Sequence, residues 1–132
     1  LSTFVDTSAL LALMDANDQH HAAAQAAWEA LVTQAESLVC TSYVLVEAFA
    51  LLQHRLGMPA ARVFHEDVLP LLHVEWVGAQ SHAQSVAALL TAGRRQLSLV
   101  DCASFEAMRR LALDRAFTFD HHFAEQGFAC LP

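Results

Sequence analysis

The chain has 132 residues, 55% of them hydrophobic and 16% charged, a balance that excludes a disordered polypeptide and fits one compact domain over residues 1–132. Its formal net charge is −7, which speaks against a simple basic surface for nucleic acid. All seven cationic side chains are arginine, at positions 55, 62, 94, 95, 109, 110 and 115, and there is no lysine.

Residues 3 to 5 read as a short buried strand, followed by a strongly apolar helix over Thr7 to Met14. "DANDQHH" breaks that helix, and Asn17 or Asp18 is the expected N-cap of an Ala-rich helix running to about Ala35. "SLVCT" is a second strand, after which Ser42 is expected to cap a helix carrying "YVLVEAFALLQHRL". That helix ends at Gly57, and Pro59 opens the next segment. "RVFHEDVLPLL" is helical as far as Pro70, "HVEWV" alternates like a strand, and a helix from Ser81 to Ala92 stops at Gly93. "SLVDCASFEAMRRLAL" is a helix capped at Ser98, "AFTF" a strand, "HHFAEQ" a helical turn and "FACL" a last strand. Short apolar strands alternating with helices predict an α/β layer fold with a mainly parallel sheet.

In such sheets, sites gather beyond the carboxyl ends of the strands. Four carboxylates have apolar neighbours on both sides: Asp6 in "FVDTSALL", Glu47 in "YVLVEAFALL", Asp101 in "LSLVDCASF" and Asp120 in "FTFDHHF". Each has a local explanation. Asp6 can cap the helix after it, Ser98 to Asp101 has the spacing of a capping box, Glu47 can face solvent, and Asp120 can serve a turn. Jointly these explanations do worse, because acids gathered on one edge repel each other and no lysine exists to pair with them. A divalent cation resolves the conflict, and Mg2+ or Mn2+ suits oxygen ligands shared with water and phosphate.

The order of "FVDTSALLALM", Glu47 in a helix after the second strand, "SLVDCASFEAMRRL" and "AFTFDHHF" resembles the PIN-domain ribonucleases, most of all their VapC-type toxin branch. By position, Asp6, Glu47, Asp101 and Asp120 match that family's acidic quartet, Ser98 its Ser or Thr before the third acid, and Ser8 a small polar residue after the first. The resemblance implies a three-layer α/β/α sandwich and endonucleolytic cleavage of RNA with Mg2+ or Mn2+. Asp6 and Asp101 are then the main ligands, with Glu47 and Asp120 ligating directly, ligating through water, or orienting the nucleophile. It also implies a homodimer and a cognate antitoxin protein.

Arg94 and Arg95, just before Ser98, are the best candidates for RNA phosphate contacts, against the simpler role of arginine at a helix end. His121 and His122 either touch phosphate or are plain surface residues, and the adjacent pairs lack helical zinc-ligand spacing. The remaining histidines read as surface or capping residues, and Trp28 and Trp76 as core or interface. Three widely spaced cysteines without C-x-x-C fit reduced thiols in a cytoplasm-like compartment. Neither a membrane span nor a signal peptide is read.

Rival functions carry less. A phosphoacceptor of the response-regulator kind uses a lysine that is absent, and a haloacid-dehalogenase-like phosphatase wants D-x-D where this chain has Asp6-Thr7-Ser8. A PIN-like binding or assembly module without catalysis, and a housekeeping RNA-processing nuclease, are the remaining alternatives.

Overall fold

The computed structural model describes all of residues 1–132. Five strands, β1 (Ser2–Val5), β2 (Ser37–Thr41), β3 (Leu72–Glu75), β4 (Arg115–Phe117) and β5 (Ala129–Leu131), form one sheet in the order β3-β2-β1-β4-β5. Every pairing is parallel, with Phe4 opposite both Val39 and Ala116. Seven helices flank the sheet in an α/β/α sandwich: α1 (Thr7–Met14), α2 (His21–Thr33), α3 (Ser42–Leu56), α4 (Met58–Val63), α5 (Ala79–Ala92), α6 (Leu99–Arg110) and α7 (His122–Glu125). A parallel sheet buries both faces, which is why its strands are apolar runs rather than alternating ones. Phe4, Val5, Leu10, Leu52, Met108, Phe117 and Phe123 are fully enclosed around β1 and β4.

The strand order reverses between β1 and β4. Crossovers leave the sheet in opposite directions there, and a crevice opens beyond the carboxyl ends. Asp6 follows β1 directly, and its backbone N–H donates to Phe117 O at 3.0 Å, tying the two strand ends together.

Several boundaries differ from the sequence reading. Helix α2 starts at His21, with His20 at the N-cap position and no side-chain cap, because Asp18 instead accepts from His20 N within the turn. Thr41, not Ser42, caps α3: its extended backbone lets its hydroxyl accept from Val44 N, while the Ser42 hydroxyl accepts from Val77 N. The segment read as one helix up to Pro70 leaves α4 as a wider π turn over Phe64–Val68 and tightens to 3-10 geometry over Leu69–Leu71. Pro70 lacks the N–H that a regular helix would need there. Strand β4 stops at Phe117, so Thr118 to Asp120 form a loop past the strand. Gly93 closes α5 in the left-handed conformation expected of a terminating glycine. The cysteines are free thiols. No helix is long and apolar enough to cross a membrane.

Candidate active site

Asp6 is placed where β1 ends and α1 begins, and its carboxylate caps the helix by accepting from Ser8 N at 3.3 Å. The same oxygen, Oδ2, accepts from the Ser8 hydroxyl at 2.6 Å and from the Thr118 hydroxyl at 3.0 Å. The residue is only 3% exposed. Burial pushes its pKa from 3.8 up to about 6; the two hydroxyls pull it back, and nearby Asp101 raises it again. The capping reading of Asp6 thus holds without using up the carboxylate: one oxygen serves the helix and the hydroxyls, and Oδ1 has no hydrogen bond within the chain.

Ser8 and Thr118 form the joint between the first and fourth strands. The Ser8 hydroxyl oxygen accepts from Phe119 N at 2.9 Å and lies 3.2 Å from Thr118 Oγ1, which accepts from Asp120 N at 3.0 Å. These bonds set the loop so that Asp120 turns toward the crevice. Asp120 Oδ1 accepts from His122 N at 2.9 Å, an Asx turn that starts α7.

Asp101 arrives on the first turn of α6. The capping box read from the sequence is present: Ser98 Oγ accepts from Asp101 N, and Asp101 Oδ2 accepts from Ser98 N, each at 3.0 Å. Burial raises the Asp101 pKa and Asp120 raises it further, against the lowering effect of Ser98. Glu47, half-buried on α3, makes no hydrogen bond or ion pair within the chain.

All four acids line one open cleft of about 270 Å3, together with Thr7, Ser8, Gln96 and Ser98. A larger groove of about 820 Å3 runs between α5 and α6, but it holds none of the four. Five of the seven arginines are engaged elsewhere. Arg62 pairs with Glu66, Arg94 with Glu125, Arg110 with Glu75 and Glu106, and Arg115 with Glu36. Arg109 donates to Gln126 and lies over the Phe128 ring. None reaches a cleft carboxylate.

Arg94, one of the two arginines read as candidates for RNA phosphate, has its guanidinium 2.8 Å from Glu125 of α7. Arg95 is exposed and without an ion pair, one residue from the cleft-lining Gln96. His122 corrects the sequence reading more sharply, because it is neither at the surface nor open to phosphate. The residue is 5% exposed, and its Nδ1 lies 2.8 Å from Asp120 Oδ1 but off the line of a hydrogen bond, so it has no partner. His121 is exposed. Sequence reasoning did not single out Thr118, and it read His122 only as a phosphate contact or a surface residue. The spacing T-x-D and D-x-H in "TFDHH" was the available signal, since Asx turns and hydroxyl loops use two-residue offsets.

Donor chemistry fits a hard divalent cation. Carboxylates crowded in a partly buried cleft, with no internal cation and with Asp6 disfavoured as an anion, gain most from a doubly charged oxygen-seeking ion. Ligand-type atoms of Asp120, His121 and His122 also fall within 4.8 Å of one another.

Comparison with known proteins agrees with this geometry. The family model described as "PIN domain" matches residues 3–129. The 23S rRNA-specific endonuclease VapC20 of Mycobacterium tuberculosis, found in two strains, is 33% identical over 126 residues, covering 95% of this chain and 94% of that protein. The crystal structure of VapC20, described as a Sarcin-Ricin loop cleaving toxin, superposes with a TM-score of 0.86 at 32% identity over 97% of both chains. FitAcB from Neisseria gonorrhoeae (TM-score 0.71, 15% identity, covering 98% and 96%) shares the fold. So does VapBC2 from Rickettsia felis, solved on a promoter DNA fragment (TM-score 0.71, 12% identity, covering 98% and 97%). The chain belongs to the PIN domain family.

Proposed function

We propose that this chain, read as one PIN-like domain over residues 1–132, is a metal-dependent endoribonuclease and the toxin of a toxin–antitoxin pair. One observation carries the reading: carboxylates from four separate segments line a single cleft, and no arginine of the chain neutralises any of them. The likeness to an rRNA-specific endonuclease over 95% of the chain supports it and makes ribosomal RNA the first substrate to test.

Asp6 and Asp101 are the principal ligands, because both are buried and both have one oxygen fixed by Ser8 and Thr118, or by Ser98. Their other oxygens are left for Mg2+ or Mn2+. When bound, that ion makes a water easier to deprotonate and offsets the charge growing on the phosphate. Glu47 and Asp120, more accessible, hold the ion directly or through water, or align the attacking water with the scissile phosphorus. Arg95, unpaired, meets a phosphate of the RNA, a role Arg94 can share only by leaving Glu125.

Homodimerisation fits the apolar side chains left at the surface, among them Val46, Met58, Trp76 and Leu90, and a cognate antitoxin fits the toxin reading. The test is incubation of the purified chain with ribosomal RNA and Mn2+, with and without chelator. Discrete cut ends that vanish with chelator are expected. Intact RNA under all conditions, with Mn2+ still bound, would replace this reading with that of a binding module.

A further inference from the structure

His122 is the residue that the site as described does not use. Its ring is enclosed beside Phe123 of the core and lies over His121 with centroids 4.3 Å apart, so packing fixes its orientation. A wholly buried ring nitrogen without a hydrogen bond is unfavourable, and an apolar side chain would fill the same space without that cost. The only polar group the structure sets against Nδ1 is Asp120 Oδ1, 2.8 Å away and misaligned. Asp120 is the more accessible of the two, its side chain 23% exposed against 6% for His122. A modest turn of the carboxylate brings the two into line.

We infer that His122 is a positioning residue for Asp120, its Nδ1–H donating to the carboxylate when Asp120 turns toward a cation in the cleft. This rests on the metal-binding reading above. Nδ1 is closed to solvent, so it acts on the carboxylate and not on the ion. Ligand carboxylates are commonly held this way by an outer partner that fixes their direction. Asp120 needs such a partner more than Asp6 does, because Asp6 has two hydroxyls and a backbone N–H on one oxygen, while Asp120 has only the N–H of His122.

The test uses two amide replacements and one apolar one in the full chain. Asparagine puts its nitrogen near the Nδ1 position and glutamine puts it near Nε2. Mn2+ affinity is read from the free-ion electron paramagnetic resonance signal, with thermal melting of the metal-free proteins alongside. His122→Gln and His122→Leu are expected to weaken Mn2+ binding about tenfold, and His122→Asn to stay within about threefold of the parent. Melting should not follow that order, because the apolar variant removes an unpaired nitrogen. Equal affinity in all four proteins, or loss in the asparagine variant as large as in glutamine, overturns the inference. Should His122→Leu not fold, the asparagine–glutamine contrast decides alone. A parent protein that binds no Mn2+ overturns the metal reading and this inference with it, an outcome distinct from equal affinities.

Discussion

Two buried carboxylates sit at opposite ends of the central strands and are treated differently. Glu36 precedes β2 at the amino edge; its side chain is 2% exposed, Arg115 stands 3.4 Å away, and the Thr3 hydroxyl donates to it at 3.5 Å. Asp6 follows β1 at the carboxyl edge, equally enclosed, and has hydroxyls but no cation. A buried acid that serves only the fold is matched internally, because an unmatched one costs several kcal/mol. An acid left unmatched among other acids retains that cost until something outside the chain is bound. The contrast separates an edge whose buried acid is matched within the chain from one whose acids are not.

The largest test of that contrast is at Asp6 and Asp101. Replacing either by Asn should lower RNA cleavage by about a hundredfold or more, measured as initial rate under saturating Mn2+, since a main ligand supports several kcal/mol of transition-state stabilisation. Arg115→Ala should do the converse. Cleavage should persist, while urea unfolding shows a loss of about 1–3 kcal/mol, discounted because Arg115 is 27% exposed.

Asp6→Asn should also stabilise the metal-free protein. Asn can still accept from Ser8 and Thr118, and the penalty behind a pKa of about 6 disappears, for a gain of roughly 1–3 kcal/mol at neutral pH. The sign with pH follows from the folded pKa lying above the ordinary 3.8. The contribution of Asp6 to stability is full below pH 3.8 and is lost as pH rises through about 6. Urea midpoints taken with chelator between pH 4 and pH 7 should therefore fall more steeply in the parent than in the Asn variant, by the order of that gain. Mn2+ affinity should run the other way, dropping by up to about tenfold per pH unit below 6 as Asp6 takes up a proton.

The smallest effect is expected at the loop before α6. Arg95→Ala should weaken RNA binding only a few-fold and reduce the salt dependence of log affinity by about one contact. Arg94→Ala should change it less, because Arg94 is already spent on Glu125.

Much of the acidic edge was legible in the sequence because its signal is local. A carboxylate flanked by apolar residues stands out wherever it occurs, and Asp6, Glu47, Asp101 and Asp120 do converge on one cleft. The box at Ser98 was legible for the same reason, since both its hydrogen bonds span three residues. What escaped depends on distance along the chain. The pairing of Arg94 with Glu125 spans 31 residues, and the bond from Thr118 to Asp6 spans 112. Nothing in either segment alone announces them. Thr118 looked like one more strand residue in "AFTF", and His122 looked like the second of two exposed histidines until Phe123 carried it into the core. Helix starts were misread by one to three residues where two capping residues compete, as at Thr41 and Ser42.

The pairing of β1 with β4 has a consequence in time. The first and fourth acids are joined through Ser8 and Thr118, residues made at opposite ends of synthesis. A growing polypeptide that has completed α6 carries Asp6, Glu47 and Asp101 but lacks the strand and loop that lock Asp6 in place. Any product cut short before residue 118 lacks Thr118 and Asp120, so the four-acid cleft is complete only when the chain is nearly finished.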